Sequence, residues 1–275
     1  MSESVDLYLD LMKKCLTYSL WGETVEPADP VSALPPGIRF IAGKVVTFLE
    51  RRKLRIMRTF EFDPVKRAEG RDWPPLADTM IGLKRLDNLQ FCTESIIKNK
   101  VPGDLIETGV WRGGGSIFMR AVLKAYGITD RTIWVADSFE GLPAPNSEKY
   151  PHDTGDIHHK IEFLAVSMEQ VKANFDKYGL LDGQVKFLKG WFKDTLPKAP
   201  IEKLAVIRLD GDMYESTMDG LSNLYNKLSV GGYIIIDDYV LDGCRQAVHD
   251  YRSANGIKDA IIDIDGTGAY WRKNG

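Results

Sequence analysis

Apolar positions recur at helical spacing in the first third of the chain and gather into short runs in the rest. Val5, Leu7, Leu9, Leu11, Met12 and Leu16 give residues 5–20 the apolar face of an amphipathic helix. Residues 22–37 hold four prolines and little periodicity, so a loop is expected there. Residues 38–59 read as helix, and so do 79–98, after breaks at Pro64, Pro74 and Pro75. From residue 103, short apolar runs alternate with helix-length segments. Strands are expected at 104–109, 132–137, 184–189, 203–210 and 232–237, and helices at 115–126, 161–178, 215–228 and 243–254. Such alternation implies right-handed crossovers and a parallel sheet. The end of the chain differs. KDAIIDI and GAYWRK are separated only by Asp265, Gly266 and Thr267, which predicts an antiparallel hairpin.

Composition narrows the class without naming a function. The 275 residues are 44% hydrophobic, enough for a buried core, with an expected division into an N-terminal helical extension and lid over 1–100 and an α/β domain over 101–275. A net charge of −3 gives no basic surface for nucleic acid or an anionic membrane. The basic stretch of Arg51, Arg52, Lys53, Arg55 and Arg58 reads as a solvated helix face. No apolar run approaches the roughly 18 residues of a membrane span, and the start MSESVDLYLDLMKKC lacks the basic beginning and apolar core of a signal peptide. Cys15, Cys92 and Cys244 are odd in number and scattered, which suits a reducing cytoplasm rather than a disulfide framework.

The chemistry falls at strand ends. In an open parallel sheet, ligands bind outside the carboxyl ends of the strands. Those ends carry Glu107 and Gly109, Asp137, Gly190 and Trp191, Asp210, and Asp237 with Asp238. Asp210 with Asp212 and Asp237 with Asp238 would crowd like charges at neighbouring ends, which is unfavourable without a cation between them. Oxygen ligands of this kind suit Mg²⁺ before Zn²⁺. The bland alternative is that both pairs only assist the helices that follow.

The first crossover turn reads Glu107-Thr108-Gly109-Val110-Trp111-Arg112-Gly113-Gly114-Gly115-Ser116. Its spacing is not G-x-G-x-x-G, and a carboxylate inside the turn would repel a pyrophosphate, so a dinucleotide is disfavoured. Ser116 can cap the next helix or touch a ligand. S-adenosylmethionine satisfies both acids, with its ammonium toward Glu107 and its ribose toward Asp137.

DLIETGVWRGGGS, VADSFEGLP, LKGWFKDTLP, RLDGDMYEST and GGYIIIDDY, in this order, resemble the successive motifs of the macrocin O-methyltransferase family. The resemblance covers about residues 78–272 and reaches, more weakly, the N-terminal helix. It implies a Rossmann-like class I methyltransferase fold, mainly a parallel seven-stranded sheet with a C-terminal antiparallel hairpin. It also implies Mg²⁺-dependent methyl transfer from S-adenosylmethionine to a sugar hydroxyl of a glycosylated small molecule, with a homo-oligomer as the expected assembly. Carried over by position, Asp210, Asp237 and Asp238 would hold the metal, and Glu107, Gly109, Ser116, Asp137, Ser138 and Trp191 would line the donor site.

Asp212, two residues past Asp210, is the nearest candidate for the base. Some relatives place a histidine three residues after the first metal ligand, where this chain has Met213 and Tyr214. His152, His158, His159 and His249 are the alternatives, with His158 and His159 read as solvated in a hydrophilic loop. Residues 138–160 lack periodicity and, with 22–45, would make a lid. The rival functions are a catechol-type O-methyltransferase, an NAD-dependent oxidoreductase and a non-catalytic binding module.

Overall fold

The computed structural model describes residues 3–21, 24–28, 31, 34–60 and 62–275. Helix α1 (Glu3–Leu16) precedes strand β1 (Thr24–Pro27), helix α2 (Pro36–Arg51) and strand β2 (Met57–Phe60). Helices α3 (Pro64–Glu69) and α4 (Leu83–Lys98) lead to β3 (Asp104–Thr108), α5 (Gly114–Ala125) and β4 (Ile133–Asp137). Next come α6 (Met168–Lys177), β5 (Val185–Lys189), α7 (Phe192–Thr195) and β6 (Leu204–Leu209). The chain finishes with α8 (Tyr214–Leu224), β7 (Leu228–Ile236), α9 (Asp242–Ala254), β8 (Ile262–Asp263) and β9 (Ala269–Arg272).

The main sheet has the order β5-β4-β3-β6-β7-β9-β8. Its first five strands are parallel, and β9 enters antiparallel between β7 and β8. From β3 the chain winds outward to β4 and β5, then returns to β6 on the other side. The switch in strand order thus lies beside β3, where a crevice opens at the carboxyl ends. Side chains alternate across the sheet: Leu105, Val135 and Ile235 join the core with α1, α4 and α5, while Ile106, Ala136 and Ile234 join the core with α8 and α9. Both faces are covered, which is why these strands read as continuous apolar runs.

Leu9, Met12 and Leu16 of α1 and Leu86, Leu89 and Ile96 of α4 belong to the same core as the sheet. The apolar core therefore continues across residue 100. Helix α2 is different: it has no buried residue and leaves Ile38, Ile41, Val45 and Phe48 exposed along one face.

Several sequence expectations are corrected. Residues 57–60 are strand rather than the end of a helix, and 24–27 are strand rather than loop, because the two pair with each other. That pairing is a long-range partner no local window contains. The helix expected from 79 starts at Leu83, and the one expected from 161 starts at Met168, where the Ser167 hydroxyl accepts from the Gln170 amide. Of the lid expected over 22–45, residues 22, 23, 29, 30, 32 and 33 lie outside the described residues. No helix among the described residues is long and apolar enough to cross a membrane, and the three cysteines are free thiols.

The loop 138–160 is held at Asp153, which is buried. Its carboxylate accepts from the Tyr214 and Glu215 amides at 2.6 and 3.1 Å and so caps α8 from a distant part of the chain. The Met213 position itself supplies no side-chain cap. Removing this acid leaves two partly buried donors unpaired and takes a negative charge from a helix N-terminus. Asp153→Ala is expected to lower unfolding free energy by about 1–3 kcal/mol, with Asp153→Asn recovering part of it. Urea denaturation monitored by circular dichroism reads this directly, and an unchanged midpoint would refute the cap.

Candidate active site

Register on the sheet creates the central ion pair. Glu107 on β3 and Arg208 on β6 are direct partners across parallel strands, so their side chains leave the same face. Arg208 is buried and reaches Glu107 Oε1 at 2.5 Å, Asp210 Oδ2 at 2.9 Å and Asp237 Oδ1 at 2.5 Å. Arg85 of α4 adds a second guanidinium, 2.5 Å from Asp237 Oδ2 and 3.0 Å from Asp265 Oδ2. Burial opposes the charge on Asp237, but the two arginines outweigh it and hold its carboxyl below the usual range. Neither arginine stood out in the sequence. The available signal was Arg208 inside the apolar run AVIRL, since a charge in a buried strand requires partners.

Oxygens of Asp210, Asp237 and Asp238 lie within 4.8 Å of one another. At an effective dielectric constant of 20, like charges at that distance repel by about 3–4 kcal/mol per pair. Burial and the charges of Asp212, Asp210 and Asp237 push the Asp238 carboxyl well above its ordinary value. The arginines serve Asp237 and one oxygen of Asp210, and among the described residues no cation pairs with Asp238. Three converging hard oxygens with an uncompensated negative charge fit a divalent cation.

Asp212 sits on the same edge in a strained turn. Its φ is 57°, and the Met213 amide donates to the Gly211 carbonyl at 2.5 Å across it. Such three-residue turns with a left-handed centre are uncommon and cluster at functional sites. Burial first, and then Asp210, push its carboxyl up to about 7. Trp111 and Phe139 also have positive φ, so three non-glycine residues in left-handed backbone follow the ends of β3, β4 and β6.

A cavity of about 320 Å³ opens beside these ends, within the size range of small-molecule sites. Gly109, Asp137, Ser138, Trp191, Asp210 and Asp212 all line it, together with Trp111. Gly109 has φ 78°, and a Cβ there would overlap the Asp210 carbonyl oxygen, so this position requires glycine. Asp137 accepts from the Val110 and Phe139 amides, each at 2.7 Å. Burial raises its carboxyl despite those bonds.

Glu107 and Ser116 lie in the same turn but do not line this cavity. Ser116 donates to Glu107 Oε2, Arg208 holds Oε1, and a Cβ on Gly115 would run into the Glu107 carboxylate. Burial pushes this carboxyl up to about 7 even though Arg208 and Ser116 favour its charged form. Glu107, the residue expected to face a ligand ammonium, bonds Arg208 and Ser116 within the protein, because the register sets Arg208 beside it.

A second cavity of about 300 Å³ lies between residues 152–158 and the start of α9, and Asp212 is the residue common to both cavities. His158, expected to be solvated, is partly buried and lines this cavity with His152. His249 instead bonds the Tyr239 hydroxyl at 3.0 Å, and His159 lines neither cavity.

This architecture has known counterparts. Residues 5–273 match the family model described as macrocin-O-methyltransferase. The chain is 54% identical over 268 residues to the 8-demethyl-8-(2,3-dimethoxy-alpha-L-rhamnosyl)-tetracenomycin-C 4'-O-methyltransferase of Streptomyces olivaceus, covering 97% of this chain and 92% of that protein. It is 46% identical to the mycinamicin III 3''-O-methyltransferase of Micromonospora griseorubida, covering 99% and 98%. The solved structure of the O-methyltransferase NovP superposes with a TM-score of 0.84 at 47% identity, covering 98% of this chain and all of that one. With the family matched across nearly the whole chain and a sheet of the class I methyltransferase type, the protein belongs to the macrocin-O-methyltransferase family and is an O-methyltransferase.

Proposed function

We propose that the protein transfers a methyl group from S-adenosylmethionine to a sugar hydroxyl of a glycosylated small molecule, with Mg²⁺ held by Asp210, Asp237 and Asp238. The observation that carries this reading is one cavity running from the β3 and β4 ends, at Gly109 and Asp137, to the acid cluster at Asp210 and Asp212. Gly109 admits the amino-acid end of the donor. Asp137 keeps lone pairs for the ribose hydroxyls beyond its two backbone bonds, and Ser138 and Trp191 complete the wall. Glu107 and Ser116 would act from beneath, by fixing Arg208 and the turn. Relatives that act on a rhamnosyl group and on mycinamicin III favour a sugar acceptor over a catechol. The crowded acid edge disfavours both a pyrophosphate cofactor and a purely structural module.

A sugar hydroxyl is a poor nucleophile at neutral pH. A divalent cation bound by the three aspartates would orient the acceptor and make its hydroxyl more acidic. Asp212, projected from its strained turn between the two cavities, takes the proton as the hydroxyl oxygen attacks the sulfonium methyl. The C–O bond forms as the S–CH₃ bond breaks, leaving S-adenosylhomocysteine. The exposed apolar face of α2 supports self-association of the chain.

Three measurements test these assignments. Calorimetry should detect S-adenosylhomocysteine binding without metal, and Asp137→Ala should weaken it by about 10- to 150-fold, the loss of a charge-assisted hydrogen bond. Undiminished affinity would remove Asp137 from the donor site. Excess chelator should abolish methylation while donor binding persists, with Mg²⁺ restoring turnover; full activity in chelator would refute the metal assignment. Asp212→Asn preserves size but cannot take a proton, and kcat should fall by about 10²–10⁴-fold with donor affinity retained. A variant with most of its kcat would exclude Asp212 as the base.

A further inference from the structure

The second cavity adjoins the donor cavity and shares Asp212 with it, the residue proposed to take the acceptor's proton. Thr154, Asp156 and His158 of the loop and Leu241 and Asp242 at the start of α9 contribute to its walls. The loop is not free to drift from this place. Asp153 pins it to α8, and a Cβ on Gly243 would already stand 3.0 Å from Asp153 Oδ1.

Within this wall, His158 is held from two sides by one residue. Its ring Nδ1 lies 2.7 Å from Asp156 Oδ2, and its own amide donates to Asp156 Oδ1 at 2.9 Å. A carboxylate at Nδ1 fixes the ring orientation and keeps a proton on that nitrogen, so Nε2 is the atom left for an outside partner. Burial lowers the proton affinity of the ring, but the hydrogen bond to Asp156 and then the charge of Asp212 outweigh burial and raise that affinity above its ordinary value, and His158 and Asp212 both line this cavity. A solvated surface histidine needs none of this support.

We infer that His158, oriented by Asp156, is an acceptor-binding residue that determines specificity: its Nε2 hydrogen-bonds a free hydroxyl on the sugar ring next to the hydroxyl that is methylated. This rests on the methyl-transfer reading above and deepens it, by seating the acceptor in the second cavity and requiring a ring with a neighbouring free hydroxyl. A hydroxyl can accept from Nε2–H or donate to a bare Nε2, so the contact survives either protonation state of the ring.

The test uses the full chain with S-adenosylhomocysteine and Mg²⁺, titrated calorimetrically with 4-nitrophenyl α-L-rhamnopyranoside, alongside steady-state methylation of the same glycoside. His158→Phe keeps a ring but removes Nε2. Its Kd and KM for the glycoside should rise at least about tenfold, the scale of one hydrogen bond at a binding site, while kcat and donor affinity change little. His158→Gln, which restores a polar terminus, should recover part of the loss, and it serves as the test if the phenylalanine variant does not fold. Among glycosides lacking one ring hydroxyl in turn, one should bind parent and His158→Phe equally. Unchanged glycoside affinity in a folded variant overturns the role of His158 and leaves methyl transfer standing. Failure of the parent protein to bind or methylate any glycoside overturns the reading on which the inference rests.

Discussion

Arg208 is the constraint on which the rest of the site depends. A guanidinium at the centre of a parallel sheet is tolerable only with partners, and this one has Glu107, Asp210 and Asp237. Through them it ties together the ends of β3, β6 and β7, the three strands beside the topological switch. The acids at those ends could not otherwise be packed so closely without mutual repulsion. Arg85 extends the same logic outward, linking Asp237 to Asp265 before β9 and to a helix that precedes the sheet. The helices before residue 100 thereby take part in the electrostatics of the site as well as in the core.

Two arginines do not neutralise the whole edge. Asp238 and Asp212 remain, and burial raises both carboxyls. The residual negative charge fits a divalent cation, and burial first and then Asp210 push the Asp212 carboxyl up to about 7. The strained backbone at Asp212 has a geometric consequence. It places one carboxylate at the junction of two cavities, one reaching back to Asp137 and the other under the loop that carries His158. In the proposed reaction, donor and acceptor meet at that side chain.

The sheet was legible from the sequence because its strands are buried on both faces and its crossovers contain strong helical periodicity. Each of the five parallel strands lies where an apolar run predicted it, and the Asp265-Gly266-Thr267 turn announced the antiparallel end. Between residues 22 and 60 only the helix was legible, as α2. Pairing of 24–27 with 57–60 is decided by contacts thirty or more residues apart, and the apolar side chains of α2 stay exposed among the described residues.

The sequence by itself determined that acids and glycines would gather at the carboxyl ends of a parallel sheet, because strand order and crossover handedness leave them nowhere else to go. Only the tertiary structure decided what each one faces. Glu107 meets Arg208 because the two are in register on adjacent strands. Asp153 caps a helix sixty residues away, and that cap carries His158 to the edge of the site. Such pairings depend on through-space distance, which periodicity along the chain does not encode.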